Sequence, residues 1–249
     1  MCENKTQKTN WEDLAKIDPL WAILSVPQKK NNRWKVDEFF KTGEQEIAKI
    51  ITKSNSMTLP KNQINALDFG CGVGRLTRAL DKYFKNVYGV DISENMINMA
   101  EQHNKSEKKL KFIVNKKNDL SIFEDDKFDL IYSNIVLQHI NKKEIIELFI
   151  CEFIRILEKN GILIFQLPYY ISKKYQIQPR RRIYKVLKLI GINESFLIKK
   201  LNLTPIIMNY LSEKRVSELI KKSNGKLIHI ETNSYVNGGI KSHVYFISK

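Results

Sequence analysis

Three glycines at alternate positions, Gly70, Gly72 and Gly74, follow directly on a short apolar run, Ile64 to Phe69. A helical pattern through Leu76, Ala79, Leu80 and Phe84 comes next. Glycine at such a junction lets the chain turn tightly and lets a ligand approach the main chain closely. A second strand-like run, Asn86 to Val90, ends on an acid, Asp91. A carboxylate at the end of a second strand is placed to accept both hydroxyls of a ribose. The chemistry offered by this spacing is nucleoside binding at the first strand-to-helix crossover.

These residues need a frame that holds them. The N-terminal region holds a disordered stretch over 1–10, a short helix from Trp11 to Ile17, an apolar cluster at Leu20–Leu24 ended by Pro27, and an amphipathic helix from Asp37 to Ser54 with Phe40, Ile47, Ile50 and Ile51 on one side. From there strands are expected at Ile64–Phe69, Val87–Asp91, Lys111–Val114, Phe128–Ser133 and Ile162–Leu167. Helices run between them from Gly74 to Phe84, from an N-capping Ser93 onward, and from Lys142 to Leu157, the last stopped by Asn160-Gly161. This alternation implies a doubly wound α/β fold with a mostly parallel seven-stranded sheet. Pro168 breaks the rhythm and opens an insertion, 169–204, that holds three arginines and six lysines against one acid, Glu194. It reads as one or two basic amphipathic helices. A helix from Ser212 to Lys222 and two strands, Leu227–Asn233 and Ile240–Ile247, joined by a turn at Asn237-Gly-Gly239, add an antiparallel edge. The organisation expected is an N-terminal helical cap over 1–60 and one α/β domain over 61–249.

The chain of 249 residues is 43% hydrophobic and 28% charged, enough for one sizeable core. The polar start carries no secretory pattern, and no apolar run reaches the length of a bilayer span. Cys2, Cys71 and Cys151 are scattered, without metal-ligand or disulfide spacing, which fits a reducing, cytoplasmic setting. A net charge of +15 suits a nucleic-acid or anionic-membrane partner, or simply a lysine-rich surface.

With these features in order, the chain resembles the class I S-adenosylmethionine-dependent methyltransferases of the small-molecule type. The resemblance rests on Leu-Asp-Phe-Gly-Cys-Gly-Val-Gly-Arg (67–75), Tyr-Gly-Val-Asp-Ile-Ser (88–93), Phe-Asp-Leu-Ile-Tyr-Ser-Asn-Ile-Val-Leu-Gln-His-Ile (128–140) and Leu-Glu-Lys-Asn-Gly-Ile-Leu-Ile-Phe (157–165). A dinucleotide fold would want Gly-x-Gly-x-x-Gly. Here the third glycine comes one residue early and Arg75 stands in its place.

The resemblance implies S-adenosyl-L-methionine as cofactor, S-adenosyl-L-homocysteine as product and no metal. Gly70, Cys71 and Gly72 would lie against the methionine portion, Arg75 would also bind the cofactor, and Asp68 would hold the ammonium or fix the loop. Asp91 would clamp the ribose, Ile92 would cover the adenine, and Met96 would line the same pocket or pack in its helix. Asp119 with Leu120 would meet the adenine edge, with Asn118 as the alternative, although Lys116 and Lys117 replace the usual Gly-Asp pair. Ser133 and Asn134 would sit where methyl donor and acceptor meet, and Arg33 would reach the cofactor carboxylate from a lid. His139, at the start of the next helix, is the candidate general base, with His243, Tyr169 and Tyr170 behind it. Packing is the other role for His139.

Ser-Asn-Ile-Val at 133–136 replaces the Asn/Asp-Pro-Pro-aromatic tetrad of nucleobase N-methylation, which argues against that substrate. The expected acceptor is a small molecule methylated at oxygen or nitrogen: a sugar, sugar nucleotide, lipid intermediate or secondary metabolite. The basic insertion would cover this acceptor or rest on a membrane surface. An RNA or protein methyltransferase and a non-catalytic cofactor-binding subunit are the alternatives. Oligomeric state leaves no mark on the sequence.

Overall fold

The computed structural model describes residues 2–105, 109–234 and 239–249. Strands β1 (Asn65–Phe69), β2 (Asn86–Asp91), β3 (Leu110–Val114), β4 (Phe128–Ser133), β5 (Leu157–Ile171), β6 (Lys226–Ser234) and β7 (Ile240–Ser248) form one sheet in the order β3-β2-β1-β4-β5-β7-β6. The first five pair in parallel. β7 runs antiparallel between β5 and β6, so it is β6 that forms the outer margin. Strand order reverses at β1 and β4, and their carboxyl ends open the crevice where ligands bind in such sheets.

Alternation along the strands decides which helices cover which face. Leu67, Ile131, Leu163 and Ile247 point to one side, against α6 (Lys143–Ile156) and α10 (Glu213–Lys222). Ala66, Leu130, Ile162 and Phe246 point to the other, against α3 (Val36–Ser56) and α4 (Arg75–Leu80). Strands buried on both faces read as continuous apolar runs, as Ile162–Phe165 does within β5.

A third cluster forms a roof over the crevice. It joins α1 (Cys2–Ile17) and α2 (Pro19–Ile23) to Met96 on α5 (Glu94–His103) and to Tyr184, Leu197 and Ile198 of the basic insertion. The N-terminal stretch expected to be disordered is helical from Cys2. Its later turns are fastened: Glu12 accepts the main-chain N–H groups of Glu94 (2.7 Å) and Asn95 (3.1 Å), filling the open end of α5, while Leu14 and Ala15 are buried. Ser93 caps the same helix, its hydroxyl accepting from Met96 N–H at 3.1 Å, as the sequence predicts.

Three further boundaries differ from expectation. α4 stops at Leu80 rather than Phe84. β5 begins at Leu157 and runs through both Asn160-Gly161 and Pro168 to Ile171. Asn160 takes φ +64° within it, and the register against β7 shifts between Pro168 and Tyr170. A bulge there tolerates the missing N–H of proline, so strand pairing persists where a break reads from sequence. The insertion folds as α7 (Lys173–Gln176), α8 (Pro179–Leu189) and α9 (Glu194–Lys199). The Asn237-Gly238 part of the expected turn lies outside the described residues.

Candidate functional site

The carboxyl ends of β1, β2 and β4 open into a cavity of about 880 Å³. Gly70, Gly72, Asp91, Ile92 and Asn134 form its floor, and α1 and α2 its roof through Trp11 and Trp21. Gly70 and Gly72 hold φ of +77° and +55°, the left-handed region that glycine enters without steric cost. A Cβ on Gly70 would come within 2.4 Å of Val136, and one on Gly72 within 2.5 Å of Ile23 on α2. The loop is therefore both bent and closely covered.

The main-chain donors of this loop separate two ligand classes. Gly70 and Cys71 N–H groups both donate to Val90 O (2.7 and 3.1 Å), and Gly72 N–H donates to Asp91 Oδ2 (2.9 Å). A loop that cradles phosphates aims free N–H groups at the ligand. Here those donors are already spent inside the fold, so the loop suits a nucleoside without a pyrophosphate. Asp91 Oδ1 accepts from Ser93 N–H at 2.9 Å. A carboxylate has about four lone-pair sites, so Asp91 keeps acceptor capacity toward the cavity. Burial raises the Asp91 carboxyl pKa, opposed by N–H donation from Ser93, Gly72 and Ile92.

Of the residues read from sequence, the cavity collects Gly70, Gly72, Asp91, Ile92, Met96, Asn134 and His139. Asp119 and Leu120 lie elsewhere. Asn115 Nδ2 donates to Asp119 O (2.7 Å) and Asn115 Oδ1 accepts from Lys117 N–H (3.0 Å), which curls the loop. Leu120 N–H is taken by Glu152 Oε2 (2.8 Å), and Asp119 turns to Ser121 N–H (3.0 Å). Asn118, the alternative, lines the cavity together with Asn115 and Lys117. Arg33 is exposed and away from the cavity lining. Cys71 is buried, its thiol pKa pushed up by desolvation, and its side chain stays behind the loop. Ser133 is fully buried, its hydroxyl donating to Phe69 O at 3.1 Å.

Arg75 and Asp68 also stand behind the site, and Glu46 on α3, which the sequence does not single out, explains why. Its Oε2 accepts from Arg75 Nη2 (2.9 Å), and its Oε1 accepts from Tyr132 OH (2.9 Å) and Asn134 Nδ2 (2.7 Å). This knot orients Asn134 at the cavity floor. The neighbouring Ile135 takes φ +60°, a strained setting for a β-branched residue, with its N–H donating to Gln166 Oε1 (3.2 Å). Four residues spread over three elements gave no sequence spacing by which to find the knot.

Asp68 accepts from Thr77 Oγ1 at 2.7 Å rather than from the loop. Burial pushes its carboxyl pKa up to about 7, with the Thr77 hydroxyl and Arg75 pulling the other way. The folded chain thus holds this proton more tightly than an unfolded one, whose carboxyl titrates near 3.8. Stability from this group is lost as pH rises from about 4 through 7. Asp68→Asn should therefore gain on the wild type as pH rises from 5 to 8, by a few kcal/mol at most. Denaturant unfolding at both pH values measures it, and a pH-independent gap would contradict the assignment.

His139 sits in a 3₁₀ turn, Leu137–His139, ahead of α6 rather than at its start. Its Nδ1 lies 2.8 Å from Ile207 O. A carbonyl only accepts, so Nδ1 carries the proton, and the Nε2 lone pair accepts a long hydrogen bond from Gln138 Nε2 at 3.4 Å. Desolvation lowers the imidazole pKa below its ordinary 6.5, partly offset by the Ile207 carbonyl, so the ring is neutral at pH 7. Trp11 packs edge-on against it at 5.8 Å. Beside it, Gln138 Oε1 is buried without a hydrogen-bond partner among the described residues, as is Ser242 Oγ, and both residues line the cavity. His243 is held instead by Glu213 (3.1 Å), by Thr232 (3.2 Å) and by stacking on Tyr169.

The sheet order defines a doubly wound domain whose cavity holds Asp91, the glycine loop and His139 together. Residues 67–165 match the family described as "Methyltransferase domain". Over these residues, which run from within β1 through β4 and hold the glycine loop, the chain is similar to methyltransferases.

A ubiquinone biosynthesis O-methyltransferase from Pelagibacter ubique is 33% identical over 111 residues, 45% of each chain. The chain spans half or less of the length of the curated relatives it matches. Among solved structures, a SAM-dependent methyltransferase from Leishmania major aligns over 98% of this chain and 83% of its own, at TM-score 0.62 and 13% identity. The N-methyltransferase NodS from Bradyrhizobium japonicum, solved with S-adenosyl-L-homocysteine, aligns over 97% of both chains at TM-score 0.61 and 14% identity. At such identities these two show the fold alone.

Proposed function

We propose that this chain binds S-adenosylmethionine and methylates an oxygen or nitrogen of a small, largely apolar acceptor. The observation that carries this reading is one continuous cavity with Asp91 and the glycine loop at one part and His139 at another. The bound cofactor supplies an activated methyl group on a sulfonium, which needs no metal. Asp91 accepts the ribose hydroxyls, Ile92 and Met96 flank the base, and Asn118 or Asn115 meets its polar edge.

Around His139 the wall is mainly apolar, with Ile140, Phe149, Leu203, Ile206 and Met208. An acceptor with an aromatic or aliphatic body fits such a wall. His139 Nε2 takes the proton of an acceptor hydroxyl as that oxygen attacks, and in-line placement supplies much of the remaining rate. The relative named as an O-methyltransferase supports oxygen as the methylated atom. The roof of α1, α2 and the insertion encloses the cavity, which suits a small molecule better than a nucleobase within a strand. Incubation with methyl-labelled S-adenosylmethionine and a panel of phenols, hydroxy acids and amines tests the proposal. Label transfer to an apolar hydroxylated acceptor is expected. Transfer only to RNA or protein would overturn it.

A further inference from the structure

The insertion that helps to roof the cavity has an outer face that the methyl-transfer reading does not use. Nine of the fourteen exposed large hydrophobic residues of the described chain fall between Tyr170 and Leu201. Four of them lie on α8 or at its C-terminal cap, Ile190, and the two sides of this helix do different things. Its inner side is tied down: Tyr184 is buried with its hydroxyl donating to Glu194 (3.1 Å), Arg181 donates to Pro205 O (3.1 Å), and Lys188 pairs with Glu194 and Asp13. Its outer side carries Ile183, Val186, Leu189 and Ile190, at helical spacing and 49%, 60%, 87% and 69% exposed. Arg182 and Lys185 are exposed along the same side.

A continuous aliphatic stripe of this kind on a soluble surface marks a docking site. Its chemistry identifies the occupant. Segment 169–204 carries nine cations against one carboxylate, so the partner is negatively charged. Aliphatic side chains at the centre, with arginine and lysine beside them, match a bilayer interface, where apolar groups enter the acyl boundary and cations meet anionic headgroups. RNA binding would want aromatic stacking faces rather than isoleucine, valine and leucine. The described residues contain no helix long and apolar enough to cross a membrane, so contact of this kind is peripheral. Arg180, at the start of α8, and Tyr175 both line the cavity, so the docking face adjoins its mouth.

We infer that the outer face of α8 docks the protein on an anionic lipid bilayer. This goes beyond the methyl-transfer reading and is measured without cofactor or acceptor. The full chain is sedimented with vesicles of phosphatidylcholine alone and with vesicles containing about 30 mol% phosphatidylglycerol. Binding to the anionic vesicles alone, weakening as salt rises, is the expected result. The double variant Leu189→Glu/Ile190→Glu should lower the bound fraction about tenfold or more while leaving the circular dichroism and S-adenosylhomocysteine affinity unchanged, because both side chains lie outside the core and the cavity. Absence of binding to anionic vesicles overturns the inference, as does vesicle binding that survives the double variant. A concentration-dependent dimer abolished by that variant, or RNA binding at low salt, in place of vesicle binding, would assign the face to a second copy or to nucleic acid and overturn it equally.

Discussion

Replacing Asp91 by alanine should lower affinity for S-adenosylhomocysteine by about 1–3 kcal/mol, roughly five- to 150-fold, the scale of hydrogen bonds lost to a charged group. The carboxylate does two things at once. It faces the cavity from the end of β2, and it pins the glycine loop and the start of α5 through Gly72 and Ser93 N–H at 2.9 Å each. Alanine removes both. Asp91→Asn keeps one acceptor oxygen and should fall between alanine and wild type. Calorimetric titration of the three proteins measures the series. Unchanged affinity in Asp91→Ala would remove the ribose clamp from the account.

His139→Ala should lower turnover by about 10²–10⁴-fold with S-adenosylhomocysteine affinity within about twofold of wild type. The geometry behind this is the Ile207 carbonyl fixing the proton on Nδ1, which leaves Nε2 as the basic nitrogen. The pH profile carries a second readout. Since burial lowers the imidazole pKa below 6.5, kcat/KM should rise with pH along an acidic limb below that value and level off by neutrality. In His139→Gln the limb should be absent. A variant that loses folding stability but keeps turnover and the limb would make His139 a packing residue against Trp11.

How much of this was legible in the chain follows from what each feature depends on. The sheet was readable because buried strands such as Phe128–Ser133 and Ile162–Leu167 are mainly apolar and alternate with helical patterns. Local chemistry was readable too: Ser93 caps α5 and Asp91 closes β2, each through bonds to residues near in sequence or at the adjacent crossover.

What escaped depends on distant partners. Glu46 is fixed by Arg75, Tyr132 and Asn134, and no local spacing links them. Read locally, Asp119 and Leu120 belong at the adenine edge, but Glu152 and the Asn115 turn draw them away. The extension of β5 through Pro168 depends on β7, more than seventy residues later. The roof was half visible, as an apolar cluster at Leu20–Leu24 ahead of any strand. Its use as a cavity wall shows only once α2 lies over Gly72.

On the proposed function, the crevice takes an S-adenosyl nucleoside and not a pyrophosphate-bearing one. Calorimetric titration of the purified chain with S-adenosylhomocysteine, with NAD as the control, tests it most directly. Micromolar binding of the first and none of the second is expected, because the loop donors at Gly70, Cys71 and Gly72 are already committed to Val90 and Asp91. Binding of NAD, or of neither ligand, would contradict it.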